Sequence, residues 1–258
     1  MGRTTALTVD MGASEIRVSP VCDGYTLKES SKLCSMGGDY IDTCLYEYLT
    51  SKQINIIPHY MVSTKLDKMT GDRQRIITDY PAVHPSYKKY QIMNIVRDIK
   101  ETYLQVFPKY TTLLSTATKE YELPDGTCIN LTDEGVYIPE VLMKNNTTDS
   151  NNNNSLIDAI YSSLEASNVD IRKELCSNIL VGGGLSRLAN INERIYNELY
   201  NKINNTFKLK VSSPEKYHKQ YIAWLGGSIL SSLGSFQNLW ISKQEYDEVG
   251  TQIISQRC

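Results

Sequence analysis

The sequence predicts an α/β fold, a mixed sheet with flanking helices, and three observations carry that expectation. Twice an apolar stretch runs into a glycine turn, at Ala6-Leu7-Thr8-Val9 before Asp10-Met11-Gly12 and at Asn178-Ile179-Leu180-Val181 before Gly182-Gly183-Gly184. The second of these leads into a segment whose apolar residues recur every three or four positions, which is a strand, bend and helix in succession. A hydrophobic content of 41% over 258 residues is enough to fill a substantial core.

Taken in order, Ala6 to Val9 with Ile16 and Val18 beyond the turn reads as a hairpin. Tyr40 to Leu49 has a helical apolar period, and so do Ile92, Val96, Ile99, Tyr103 and Val106. Between them Lys65 to Tyr90 is polar and broken by Gly71, Pro81 and Pro85, the pattern of a surface excursion. Asp125-Gly126 within "YELPDGTCINL" is a hairpin turn. Lys144 to Asn154 is asparagine-rich and is expected to be a disordered loop. Ser155 is placed to cap a helix carrying Leu156, Ile160 and Leu164, Asp170 a short one, and Asn190 a third with Ile191, Ile195, Leu199 and Ile203 on one face. Phe207 to Val211 alternates as a strand. Ile222, Leu225, Ile229, Leu233, Phe236 and Trp240 then define one buried helical face, with Gly226 and Gly227 in its first turns. Each of those glycines costs about 1 kcal/mol against alanine, so the expectation is a close backbone approach there.

Composition excludes several classes. Lys+Arg 27 against Asp+Glu 29 gives a net charge of −2, so there is no bulk basic field for nucleic acid. Six scattered cysteines without a C-x-x-C pair, and three distant histidines, fit reduced thiols rather than a disulfide or zinc framework. No apolar run reaches the length of a membrane span and no signal peptide is evident.

The two glycine turns expose backbone amides that can hold phosphate oxygens. Neither has the spacing of the G-x-G-x-x-G or G-x-x-x-x-G-K-[ST] loops. Asp10 suits either an Asx turn that stabilises the hairpin or a carboxylate acting on Mg²⁺ through waters.

The stretch "WLGGSILSSLGSFQNLWISKQEYDEVG" resembles the C-terminal signature of actin and the actin-related proteins, and the resemblance extends back through "SNVDIRKELCSNILVGGG", "NIVRDIKETY", "YELPDG" and "GRTTALTVDMG". It covers nearly the whole chain. "VSPVCDGYTL", "GGDYID" and "INIIPHYMVSTK" resemble the nuclear actin-related proteins of chromatin-remodelling and histone-acetyltransferase complexes, the fourth class. The resemblance implies an actin-like, ribonuclease-H-like fold: a core at 1–38 and 114–258, with the asparagine-rich loop at 144–154, and a smaller helical insertion at 39–113. It starts midway along the family's chain, implying the second half: subdomains 3 and 4 and the C-terminal return to subdomain 1. The family's first phosphate loop and its water-positioning glutamine belong to the other half.

The resemblance also implies site residues. Asp10 and Gly12 match the second phosphate loop, Gly38 a ribose-side glycine, Lys100 and Glu101 the adenosine contacts, and Gly183 and Gly184 the adenine-side turn. Ala13, Arg17, Leu185, Leu188 and Gln220 depart from the family's aspartate, histidine, threonine, tyrosine and lysine. Losing groups that orient an attacking water argues against hydrolysis, so no catalytic and no metal-ligating residue is expected. ATP or ADP with Mg²⁺ belongs to the full-length protein rather than to this half. A hydrophobic groove for partner helices is matched by Gly24, Tyr25, Leu230, Leu233, Ser235 and Leu239; leucines at helical spacing also suit plain core packing.

The function implied is a nuclear, non-enzymatic assembly subunit that binds actin and a scaffold helix of a chromatin complex, without a membrane and touching chromatin only indirectly. The alternative is a cytoplasmic, ATP-hydrolysing, filament-forming actin. A sugar kinase or chaperone ATPase of the same superfamily fits the C-terminal signature poorly.

Overall fold

The computed structural model describes residues 3–66, 73–109, 119–144, 155–203, 207–214 and 218–257. The chain divides into two compact units, Met1–Gln220 and Tyr221–Cys258. The first unit opens with β1 (Ala6–Met11), β2 (Ile16–Cys22), the short β3 (Tyr25–Thr26) and β4 (Lys32–Cys34), then α1 (Gly38–Ser51). A hairpin of β5 (Val62–Leu66) and β6 (Arg73–Ile77) leads to α2 (Pro85–Tyr103), and a second hairpin, β7 (Lys119–Glu122) and β8 (Cys128–Leu131), to the one-turn α3 (Asp133–Val136). Next come α4 (Leu156–Ala166), α5 (Val169–Ser177), β9 (Ile179–Gly182), α6 (Ile191–Lys202) and β10 (Val211–Ser212). The second unit holds α7 (Ile222–Ser231), α8 (Lys243–Val249) and α9 (Gln252–Arg257).

The main sheet runs β10-β9-β1-β2-β3, with β4 also paired to β2. β10, β9 and β1 are parallel, and β2 is antiparallel to β1, so the sheet is mixed. This is the ribonuclease-H-like arrangement that the resemblance implied. β1 alternates: Leu7, Val9 and Met11 are buried, whereas Asp10 is exposed. α4 supplies Leu156, Ile160 and Leu164 to the same core, α1 supplies Ile41, Leu45 and Leu49, and α2 supplies Ile95, Val96 and Ile99. Each fully buried aliphatic side chain of this kind contributes about 1.5–3 kcal/mol.

Caps explain where several helices begin. Ser155 accepts from the Asp158 amide at 3.2 Å, as its position implied. The cap of α5 is Asn168, which accepts from the Asp170 amide at 3.2 Å, so Asp170 is the second residue of the helix rather than its cap. Asn190 precedes α6 but adopts a left-handed φ of 66° and makes no cap bond. Its side chain instead donates to the Val106 carbonyl at 3.1 Å, tying the segment after α2 to the start of α6. A buried ion pair of 3.0 Å between Arg194 and Glu140 fixes α6 to the turn at Ile138–Met143. Burial pushes the Glu140 carboxyl above its usual range.

Several expectations change. Lys65 to Tyr90 is not all surface loop: it holds most of the β5–β6 hairpin and the start of α2, because Pro85 takes the first helical position, where its missing N–H costs nothing. The described residues of the 39–113 stretch therefore hold helix and hairpin together. Phe207 to Val211 pairs only at its end, as β10. Residues 145–154, the bulk of the asparagine-rich run, lie outside the described residues.

The C-terminal helix departs most. α7 stops at Ser231, where the Ser231 and Ser232 hydroxyls bond back to the Ser228 carbonyl at 3.0 and 2.8 Å, and Leu233 turns extended with ψ 137°. The apolar residues therefore do not form one buried face: Ile229 is 66%, Leu233 51% and Trp240 64% exposed. Methyl groups built on Gly226 and Gly227 meet nothing within 4 Å among the described residues, so the second unit by itself makes no close approach there. It is made at Gly37, where a Cβ would lie 2.2 Å from the Ala13 carbonyl oxygen.

Overpacking of that kind costs about 1–3 kcal/mol, and alanine in place of a helical glycine gains about 0.5–1 kcal/mol. Urea unfolding should show Gly37→Ala destabilised and Gly226→Ala equal to or more stable than the parent; the reverse order would contradict these backbone positions.

Candidate functional site

β1 ends at Met11 and turns back through Gly12–Glu15, with the Gly12 amide donating to the Glu15 carbonyl at 3.1 Å. The turn lies against the beginning of α1. The Gly38 amide donates to the Gly12 carbonyl at 3.0 Å and the Asp39 amide to the Ala13 carbonyl at 2.8 Å. Amides of a first helical turn have no partner within the helix, and here the turn supplies them. Only glycine at position 37 allows the two backbones so close, and a Cβ on Gly38 would also lie 3.3 Å from Lys100 Nζ.

α1 and α2 are joined by charge. Asp42, 1% exposed, has Lys100 Nζ at 2.8 Å from one carboxylate oxygen and Arg97 Nε at 3.5 Å from the other. Neither oxygen accepts a well-directed hydrogen bond, so the carboxylate is held by its two cations. Lys100 also donates to the Gly38 carbonyl at 3.1 Å, and Arg97 lies 3.5 Å from Asp39. Asp39 and Asp42 are three residues apart on α1, and Arg97 and Lys100 three apart on α2, so like charges share a face and opposite charges meet.

The other wall comes from β9. Gly183, at φ 90°, carries the chain from the strand into the turn Gly184–Arg187. A Cβ there would meet the Met11 carbonyl at 2.5 Å and Asp10 Oδ1 at 2.6 Å, so this position also demands glycine. The turn is closed by Ser186 Oγ donating to the Gly183 carbonyl at 2.7 Å, and anchored by the Gly183 amide donating to the Lys219 carbonyl at 2.8 Å.

Together these walls line an open-sided cavity of about 130 Å³, bounded in part by Gly12, Gly38, Lys100, Glu101 and Gly184. All five were singled out from sequence. Asp10 and Gly183, the other two, are not among its lining residues and lie against each other beside it. Residues not anticipated as lining are Asp39, Arg97 and Arg187; the matched D-x-x-D and R-x-x-K spacings on two amphipathic helices were the available signal. Arg187 Nη1 donates to Gln220 Oε1 at 3.1 Å and lies 4.0 Å from Glu101. Ala13, Leu185 and Leu188 also line the cavity, while Arg17 lies outside it on β2, paired with Glu15 at 2.9 Å. Among the described residues no three His, Cys, Asp or Glu side chains gather as a metal site, and no helix is long and apolar enough to cross a membrane.

The residues expected to receive a partner helix fall in both units. Gly24 and Tyr25 form the exposed β2–β3 turn of the first, with Tyr25 79% exposed. Leu230, Leu233 and Ser235 are exposed in the second, so the plain core-packing reading of these leucines is not met. Leu239 closes the short 3-10 helix Gly234–Leu239.

Removing one partner of a buried ion pair costs about 3–5 kcal/mol, because the other charge stays buried. Asp42→Asn should lower the unfolding free energy from urea titration by that order, and Asp42→Leu combined with Lys100→Met should recover much of the loss; equal losses in both variants would show that the pair does not join the helices.

The actin family model matches residues 1–258. The chain is 34% identical over 272 residues to actin-related protein 4 of Oryza sativa subsp. indica, aligning over 100% of its own length and 61% of the relative's. It is 33% identical over 275 residues to actin-related protein 4 of Arabidopsis thaliana, with 100% of this chain and 62% of the relative covered. For actin-related protein 4 of Emericella nidulans the identity is 30% over 288 residues, again with 100% of this chain and 61% of the relative. The chain thus spans about three-fifths of the length of these curated relatives. With the sheet order, the glycine turns and the full-length family match in agreement, the chain belongs to the actin family.

Proposed function

We propose that this chain is the subdomain 3 and 4 portion, with the C-terminal return, of an actin-related protein that acts as a non-catalytic assembly subunit in a nuclear chromatin-remodelling or histone-acetyltransferase complex. The carrying observation is the cavity: five positions matched to nucleotide contacts line one space, yet the positions matched to catalytic groups carry a methyl at Ala13 and an arginine engaged with Glu15 at Arg17. The resemblance to the fourth actin-related class supports the chromatin assignment and the nuclear location.

The residues fit a nucleoside phosphate. Gly184 exposes its backbone and Gly12 and Gly38 line the space without side chains, Arg97 and Arg187 supply positive charge, and the half-exposed Glu101 carboxylate can accept hydrogen bonds from ribose hydroxyls. Lys100 contributes mainly through its buried pair with Asp42. Asp10 would reach Mg²⁺ through water, as hard cations with few carboxylates are held. A nucleotide bound in the full-length protein supplies stability by mass action, about 2.7 kcal/mol at a concentration one-hundred-fold above its dissociation constant.

The second element of the function is a partner helix. Leu230 of α7 and Leu233 just after it expose apolar surface that an amphipathic helix can cover by its spaced anchors. Tyr25 offers an exposed aromatic anchor on the first unit.

In the full-length protein, saturating ATP should raise the melting temperature, and Asp10→Ala or Gly184→Val should remove most of that rise, with phosphate release at the level of a blank throughout. Steady phosphate release abolished by Asp10→Ala would instead establish a hydrolysing actin.

Calorimetry with a scaffold-helix peptide should show Leu233→Ala and Leu230→Ala weakening the helix at least about fivefold, the effect of losing an anchor worth about 1 kcal/mol or more, with ATP affinity unchanged. Unaltered helix binding would remove these leucines from the interface.

A further inference from the structure

The polar excursion between the two long helices of the first unit carries a tyrosine cluster that neither the cavity nor the partner leucines use. The Tyr60 ring centroid lies 5.4 Å from that of Tyr87 and 6.1 Å from that of Tyr80, tilted by 47° to each. Tyr90 follows Tyr87 by three residues on α2 and so shares its helical face. These rings are not core: Tyr80 is 48%, Tyr87 46% and Tyr90 58% exposed. Ile77, at the end of β6 just before Tyr80, is 53% exposed.

The charge along this segment is mainly positive. Between positions 73 and 90 the chain carries Arg73, Arg75, Lys88 and Lys89 against the single carboxylate of Asp79, in a protein whose net charge is −2. Arg75 is engaged by Glu122, and Asp79 accepts from the Tyr80 amide at 3.0 Å. Lys88 and Lys89 are exposed and directly adjoin Tyr87 and Tyr90 in sequence. His59 and His84 stand beside Tyr60 and at the cap of α2, both exposed.

Exposed aromatic rings interleaved with lysines are the elements of a stacking platform for single-stranded nucleic acid: bases stack on the rings and the ammonium groups follow the phosphates. A duplex keeps its bases stacked on one another and would use only the charges. An acidic peptide would likewise use only the lysines and leave the tyrosines without a role. We propose that Tyr60, Tyr80, Tyr87 and Tyr90 with Lys88 and Lys89 form a secondary binding surface for single-stranded DNA or RNA, separate from the nucleotide cavity. This goes beyond assembly: it would give the subunit a direct contact with an unwound strand.

The test is fluorescence anisotropy of the whole chain with a labelled oligothymidylate of about 16 nucleotides, in parallel with a duplex of the same length and a polyglutamate peptide. The expected result is saturable binding of the single strand in preference to both competitors, weakening as salt rises from about 50 to about 200 mM. Tyr60→Ala combined with Tyr87→Ala should weaken binding at least about fivefold, the loss expected for one stacked base, and Tyr87→Phe should retain it. Tyr90→Ala, whose ring has no ring partner in the cluster, and Lys88→Glu with Lys89→Glu keep the question answerable if the double alanine variant unfolds, and each should weaken binding. No saturable binding, tyrosine and lysine variants that bind like the parent, or equal binding of polyglutamate would each overturn the proposal.

Discussion

The carboxylate of Asp42 is the constraint on which the first unit's site depends. A charge that is 1% exposed is tolerable only with cations at hand, and Lys100 and Arg97 supply them from the neighbouring helix. This fixes the rotation of α1 against α2, since a turn of either helix by one residue would separate the charges. It also fixes the floor of the cavity, because Lys100 simultaneously donates to the Gly38 carbonyl and Arg97 approaches Asp39. Polar and apolar packing thus specify one arrangement: the same two helices bury Ile41, Leu45, Ile95 and Ile99 along the seam.

Onto this floor the sheet delivers two turns. β1 and β9 are parallel neighbours with Asp10 opposite Gly182, so the turns that follow them leave the same end of the sheet side by side. That is where parallel strands of an α/β sheet characteristically present ligands. Gly37 and Gly183 let the turns approach their neighbours without side chains between, and no other residue type fits at either without displacing backbone. The cavity is therefore a product of backbone proximity and buried charge, with comparatively few residues able to vary it: Arg187 and Glu101 at its edge are the adaptable ones.

Much of this was legible in the sequence, and for identifiable reasons. The strand-turn units at Asp10–Gly12 and Gly182–Gly184 stood out because alternation and glycine signal local geometry, and the cavity positions Gly38, Lys100, Glu101 and Gly184 followed from resemblance. Gly37 escaped notice because adjacent glycines look alike until the Ala13 carbonyl is seen against one of them. The ion pairs were hidden since charged residues at helical spacing ordinarily mark a solvated face. Periodicity failed at the C-terminal segment: Ile222 to Trp240 steps like one helix, but the hydroxyls of Ser231 and Ser232 offered the Ser228 carbonyl competing hydrogen bonds where the helix ends. Asn168 and Asn190 show the same limit at caps, where neighbouring polar residues compete and only geometry chooses between them.

The central strand of the sheet has a further consequence. β1 is formed by residues near the beginning of the chain, yet one of its two edges pairs with β9, where Leu7 meets Ile179. Its antiparallel partner β2 is local and can join within microseconds, as hairpins do. The opposite edge has to wait for some 170 further residues to be made and brought back, and closing so long a loop precedes any reward from the contact. During synthesis, at about 5–20 residues per second, that interval lasts many seconds. A hairpin with Val9 and Val18 on its apolar face is exposed throughout it, a natural target for a chaperone that shields a half-built sheet until the last strands arrive.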